Sequence, residues 1–233
     1  MNSKNNTEKM FEVGSHYGYS KSRRHPSVSP YIFATKNGVD IINIEKTDAL
    51  LEKALEAVTK LAQSGKTILF IGTKPEARQQ IVETALSLNM PYVSERWVGG
   101  AITNFPEIKK RIVKLLDLRD QKEKKELDKY TKKEKLLIDR EMEDMTKNFQ
   151  GLTSITRTPD AVFVVDPKKE HIAVTEARKM GLPVIALLNT DCNLKQIEYP
   201  IVANDASVSS ITFFLSKIKE AYDNGISGIT SNK

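Results

Sequence analysis

The residues of this chain best suited to chemistry fall into three groups, each implying a different kind of site. Ile71-Gly72-Thr73-Lys74-Pro75 joins a buried apolar run to a helix start, and helix N-termini stabilise phosphate. Asp160, Asp166, Asp191 and Asp205 fall at or near strand ends, where open parallel sheets gather their ligands. With His16 or His171 they would supply an acid/base pair or a metal site. The third group is cationic. Lys21-Ser22-Arg23-Arg24-His25-Pro26 follows Tyr17 and Tyr19, an arrangement suited to RNA backbone and unpaired bases. Arg96-Trp97-Val98-Gly99-Gly100 repeats the combination of cation, aromatic ring and tight turn.

Motif spacing decides against the first two groups. A P-loop requires G-x-x-x-x-G-K-[ST] and a dinucleotide fold G-x-G-x-x-G, and the sequence contains neither. It also lacks H-E-x-x-H, an EF-hand loop and the nucleophile elbow G-x-S-x-G. Gly72 is therefore read as a turn before a helix, and the aspartates as turn formers that bond their own backbone. Cys192, the single cysteine, can form neither an internal disulfide nor a thiolate zinc cluster. No catalytic residue, cofactor or small-molecule substrate is expected and no metal ligand is assigned, a weak structural divalent ion near His16, Asp191 and Asp205 being left open. The candidates for RNA binding are Lys21, Arg23, Arg24, His25, Lys36, Arg96, Lys109, Lys110 and Arg111. Trp97 is read as a core or interface residue before a base-stacking platform.

The elements that must position these residues are legible from periodicity. Asn37-Gly38 between Tyr31-Ile32-Phe33-Ala34-Thr35 and Val39-Asp40-Ile41-Ile42-Asn43-Ile44 predicts a β-hairpin. Apolar residues at helical spacing from Leu50 to Ala62 predict an amphipathic helix over 47–63, capped by Thr47 and stopped by Gly65. Thr67-Ile68-Leu69-Phe70-Ile71, Asp160-Ala161-Val162-Phe163-Val164-Val165 and Pro183-Val184-Ile185-Ala186-Leu187-Leu188 are near-continuous apolar strands, the pattern of a parallel sheet covered on both faces. Helices begin at Pro75 and near Glu170, and a last one runs over 207–222. Between Pro106 and Lys147 charge becomes dense, yet Ile108, Ile112 and Leu115, and again Ile138, Met142 and Met145, keep a seam spacing. Thr131-Lys132-Lys133-Glu134 has the form of a capping box. These signals predict an antiparallel helical hairpin turning between 119 and 130.

The resulting expectation is an α/β fold in the form of a flavodoxin-like three-layer sandwich, with a parallel sheet and an inserted antiparallel coiled-coil hairpin. The expected boundaries are a basic N-terminal arm at 1–30, the sandwich at 31–105 and 149–223, the hairpin at 106–148 and a flexible tail at 224–233. A formal charge of +6 over 233 residues favours a polyanionic partner. No run of about 18 apolar residues and no secretory leader is visible, so neither secretion nor a membrane partner is expected and the chain is placed in the cytoplasm, or an organelle stroma.

Four segments in order, Gly14-Ser15-His16-Tyr17-Gly18, Pro30-Tyr31-Ile32-Phe33, Val39 to Thr47, and Arg96-Trp97-Val98-Gly99-Gly100-Ala101-Ile102-Thr103-Asn104-Phe105, closely resemble the bacterial-type small-subunit ribosomal protein S-two family. Leu127 to Glu134, Pro159 to Asp166, Glu170-His171-Ile172-Ala173 and Gly181-Leu182-Pro183-Val184 extend the resemblance from Met10 to Ala221. It implies a non-catalytic component of the small ribosomal subunit that contacts 16S-type rRNA and neighbouring ribosomal proteins. Among those it implies the OB-repeat protein S-one, docked for mRNA capture. The chain departs from the family pattern at Tyr19, where a second histidine is expected, and at Cys192-Asn193, in place of Asp-Pro. No metal ligand set is carried over.

Overall fold

The computed structural model describes residues 2–230, with side chains described for 6–127 and 130–228. Its centre is a five-stranded parallel sheet of β4 (Ile68–Ile71), β5 (Tyr92–Val93), β6 (Ala161–Val165), β7 (Val184–Leu188) and β8 (Tyr199–Val202), in the order β5-β4-β6-β7-β8. Chain order reverses between β4 and β6, which is the doubly wound flavodoxin-like arrangement. Every residue of β4, β6 and β7 is buried, because the pleat sends alternate side chains into two separate cores. Ile68, Phe70, Phe163 and Ile185 face helices α2 (Ile44–Gln63), α3 (Pro75–Ser87) and α7 (Val208–Thr230). Leu69, Ile71, Val162, Val164 and Ala186 face the opposite layer, which includes α6 (His171–Lys179), the Trp97 loop and the start of α4 (Phe105–Glu123).

The first thirty residues differ from the expected arm. Helix α1 (Asn2–Glu12) buries Met10, strand β1 (Tyr17–Ser20) pairs with β3 (Val39–Ile42), and Val28 is inside the core. Four-residue β1 is too short to show a period of two, so it left no sequence signal. The hairpin of β2 (Ile32–Lys36) and β3 forms with Asn37 and Gly38 at φ 51° and 78°, the mirror-image turn that matches strand twist.

Two helix boundaries also move. Helix α2 starts at Ile44, because the Asn43 side chain accepts from Lys46 N at 3.2 Å; Thr47 instead donates to Val202 O at 2.6 Å, tying the helix to β8. Helix α7 runs through 224–230, where a loose tail was expected; residues 231–233 of that tail lie outside the described residues. Gly225 does not stop the helix because its bare α-carbon lies where α7 crosses α2. A Cβ there would stand 2.6 Å from the Ala62 Cβ and 2.8 Å from Thr59 O.

Helices α4 and α5 (Lys132–Phe149) lie alongside each other, joined through a short helical turn at Glu126–Lys129. Lys114 pairs with Glu141, Lys122 with Asp139 at 2.6 Å, and Arg119 donates to Thr146 at 3.0 Å. The capping box is present, with Thr131 N to Glu134 Oε2 at 2.9 Å and Glu134 N to Thr131 Oγ1 at 3.4 Å. Phe105, Ile108, Ile112 and Leu115 belong to the main core, so the base of α4 is part of the sandwich and not of an appendage.

Candidate functional site

The carboxyl ends of β4 and β6 flank the point where strand order reverses, the usual ligand crevice of such a sheet. Here the chain's own side chains close it. Lys74, before Pro75 at the start of α3, places its ammonium 2.9 Å from Asp166, 2.9 Å from Asp205 and 3.1 Å from the Tyr19 hydroxyl. Burial alone would lower the Lys74 pKa, but Asp205 and Asp166 outweigh it and hold the ammonium well above the ordinary lysine range. Burial, reinforced by Asp166, raises the Asp205 carboxyl despite its bond from Lys74.

The N-terminal segment lies along the same strand ends. Tyr19 N donates to Thr190 Oγ1 at 3.0 Å, His25 N to Thr190 O at 2.9 Å, and Asn204 Nδ2 to Gly14 O at 3.1 Å. Gly72 serves packing: a Cβ there would meet the Ile81 side chain at 2.8 Å. The Thr73 N–H, which a phosphate would use, donates to the buried Glu170 at 3.3 Å. Burial raises the Glu170 carboxyl above its ordinary range, against the bonds from Thr73.

The four aspartates therefore do not make one site. Asp160 precedes β6 at the opposite end of the sheet, where it accepts from Thr67 N at 3.0 Å. His16 stacks on Phe11, ring centroids 4.4 Å apart, and makes no hydrogen bond to Asp191 or Asp205; burial lowers its pKa. His171 is exposed at the start of α6. Burial, then Asp191, push the Cys192 thiol far up, so it is unreactive as a nucleophile. Among the described residues no group of three or more His, Cys, Asp or Glu could hold a metal ion.

The cationic candidates divide by what each side chain touches. Arg24 is engaged inside the molecule: its Nε donates to Asp40 Oδ2 at 2.6 Å and its Nη2 to Asp40 Oδ1 and to Thr35. Those contacts, with Thr35 donating to Asp40 at 2.8 Å, hold the fully buried Asp40 carboxyl below the ordinary range. His25 caps the turn over Pro26–Tyr31, its Nδ1 accepting from Ser27 N at 3.2 Å. Both side chains are engaged within a packed segment and not on a loose arm.

Lys21 and Lys36 are exposed beside the Asn37-Gly38 turn, Lys21 N donating to Gly38 O at 2.8 Å. Arg23 lies over the Tyr19 ring at 4.7 Å and 3.8 Å from Asp191, its side chain 57% exposed. On α4, Lys110 pairs with Glu107 and Lys109 reaches Thr156 O at 3.3 Å. Arg96 and Arg111 line a groove of about 790 Å³ between the Arg96 loop and the bases of α4 and α5, together with Trp97, Lys114, Glu141 and Phe149.

Glu176 organises this loop and was not anticipated. It lies on the inward face of α6, and its two oxygens accept from Trp97 Nε1 (3.1 Å), Gly100 N (2.8 Å), Ile102 N (3.2 Å), Thr103 N (3.2 Å) and Thr103 Oγ1 (3.0 Å). Burial pushes the carboxyl up, but the bonds from Gly100, Thr103, Trp97 and Ile102 prevail and hold it below the ordinary glutamate value. An acid on a stripe with Ala173 and Ala177 was the available signal. Trp97 is buried with its N–H bonded, so its ring packs and is not a stacking platform.

The family model described as Ribosomal protein S2 matches residues 10–225. The chain belongs to the ribosomal protein S2 family. Among relatives named small ribosomal subunit protein uS2, that of Dictyoglomus turgidum is 43% identical over 92% of this chain and 87% of its own. The protein of Parabacteroides distasonis is 41% identical over 95% of this chain and 80% of its own, and that of Chlorobium luteolum 41% over 93% and 86%. The match covers both the α/β sandwich and the α4–α5 segment, so the S2 family resemblance is not confined to one module.

Proposed function

We infer that this chain is a structural constituent of the small ribosomal subunit, binding its rRNA and neighbouring subunit proteins, and that it is not an enzyme. Membership of the ribosomal protein S2 family over residues 10–225 carries this reading. The closed crevice supports it: Lys74, Asp166, Asp205 and Tyr19 occupy the place where a sheet of this type takes a ligand. Lys21, Arg23 and Lys36 around the β2–β3 turn, Arg96 and Arg111 lining the groove, and Lys109 and Lys110 elsewhere on α4 contact phosphates of 16S-type rRNA. Recognition is through charge and shape, since a rigid sandwich presents these groups at fixed positions.

The α4–α5 segment beyond Leu115 acts as an inserted coiled-coil appendage that leans on the subunit. Phe33, 75% exposed on edge strand β2, offers a neighbouring subunit protein an aromatic anchor; the OB-repeat protein S-one is a further partner proposed from the family resemblance alone. The protein works in the cytoplasm, or in an organelle with its own ribosomes. Among the described residues no helix is long and apolar enough to cross a membrane.

Small subunits from the source cell, washed in high salt and sedimented, test the reading: the chain stays with them. Loss in the wash, or micromolar binding of ATP, NAD or FMN by calorimetry, would overturn it.

A further inference from the structure

We propose that the groove between the Arg96 loop and the base of α4 and α5 seats one strand of RNA backbone, gripped by Arg96 and Arg111, and that Glu176 is the positioning residue that holds Arg96 there. The inference rests on the reading of the chain as an rRNA-bound subunit component. Its first support is charge. Of the three cations lining the groove, Lys114 is paired with Glu141, whereas Arg96 and Arg111 have no carboxylate partner among the described residues. The unpaired guanidiniums come from the loop and from α4, while the acidic residues Glu141 and Asp144 are on α5, so a phosphate fits the loop and α4 side.

The second support is the way the loop is held. From Ser94 to Asn104 no residue belongs to a helix or strand. In place of a ladder, a single buried carboxylate accepts five hydrogen bonds from Trp97, Gly100, Ile102 and Thr103. Arg96 immediately precedes the first of these donors. Its backbone is therefore fixed before RNA arrives, and the ordering cost of a flexible loop is not charged against binding.

The test uses small subunits stripped of this protein and rebound to labelled full-length chain across a salt series. Arg96→Ala is expected to lower the slope of log K against log salt by about 0.7–0.9, the signature of one lost phosphate contact. Glu176→Gln lowers it by the same amount, because an amide keeps one acceptor oxygen and sets an N–H₂ against donors. The double variant falls no further than Arg96→Ala. Weakened binding with an unchanged slope for Glu176→Gln, or slope losses that add in the double variant, would overturn the positioning role.

Should Glu176→Gln fail to fold, Thr103→Val removes one of the five bonds and is expected to shift the slope in the same direction; an unchanged slope counts against the proposal. A photo-reactive benzoylphenylalanine at Asn148, which also lines the groove, cross-links to RNA if the seat is correct and to protein if it is not. Wild-type chain that does not rebind at all defeats the subunit reading itself. Wild-type binding with Arg96→Ala indistinguishable from it defeats only this inference.

Discussion

Arg24→Ala is the substitution on which loose-arm and packed-segment readings differ most. A free arginine on a basic arm would lose one phosphate contact and little stability. In the structure its guanidinium bridges β3 and β2, donating to Asp40 through two nitrogens and to Thr35 at 2.8 Å. Asp40 is fully buried, and without Arg24 its only remaining hydrogen-bond donor among the described residues is the Thr35 hydroxyl. Removing one partner of a buried ion pair costs about 3–5 kcal/mol, since the other charge stays desolvated. Lys21, which also lowers the Asp40 pKa, places the expectation toward the lower end.

For a chain of this size about 2–4 °C is lost per kcal/mol, so the melting temperature falls by roughly 6–20 °C. Asp40→Asn in the Arg24→Ala background removes the stranded charge and restores part of the loss. The Arg24 bond depresses the Asp40 pKa, so its stabilisation is present above the unfolded value near ~3.9 and disappears as pH falls through the folded value. The deficit of Arg24→Ala therefore narrows in acid. Thermal unfolding measures the shift in melting temperature, and urea unfolding at neutral and acid pH measures the rescue and the narrowing of the deficit. A melting temperature within about 1 °C of wild type, with a flattened salt dependence of subunit binding, would refute the assignment of Arg24 to the interior.

Lys74→Met leaves Asp166 and Asp205 facing each other without their ammonium, and a loss of about 3–5 kcal/mol is expected in urea unfolding. Because the Asp205 carboxyl is raised, the deficit shrinks as pH falls toward and below its folded value; a deficit independent of pH would count against the pairing. Gly225→Ala should destabilise by up to about 2 kcal/mol net, because overpacking at Ala62 and Thr59 costs about 1–3 kcal/mol against the roughly 1 kcal/mol gained from helix propensity. A stabilised Gly225→Ala chain would place the α2–α7 contact elsewhere. Native-state hydrogen exchange at Gly100, Ile102 and Thr103 should show protection above the unfolded glutamate value near ~4.3 that is lost as pH falls through the lower folded pKa of Glu176. Protection retained below that value would assign the loop's order to another group.

What the sequence made legible was whatever repeats. The apolar strands β4, β6 and β7, the helix faces of α2 and α3, the Asn37-Gly38 turn and the capping box at Thr131 each carry a local period or a fixed offset. The cationic candidates were visible as residue types but not as environments: Arg23 and Arg24 are neighbours in sequence, yet one side chain is 57% exposed and the other 20%. That difference comes from Asp40 in β3, sixteen residues away, and no local pattern encodes the pairing. Glu176 was hidden for a similar reason. Its five donors lie 73 to 79 residues earlier, on a loop whose own sequence shows only a tight turn.

The closed crevice explains how a sheet of ligand-binding type becomes a scaffold. In an open sheet with reversed strand order, the loops after the first and third strands part and leave room for a ligand at the switch point. Here the loop after β4 contributes Lys74, the end of β6 contributes Asp166, the end of β8 contributes Asp205, and the N-terminal segment brings Tyr19 across them. A cation already held by two carboxylates leaves neither sign of charge free for a phosphate or a metal. The network also ties the chain's start to the carboxyl edge of the sheet, through Gly14 to Asn204 and Tyr19 to Thr190. Lys21 and Lys36 are thereby mounted on a fixed platform, so that a phosphate contact proposed for either would cost less ordering of the protein.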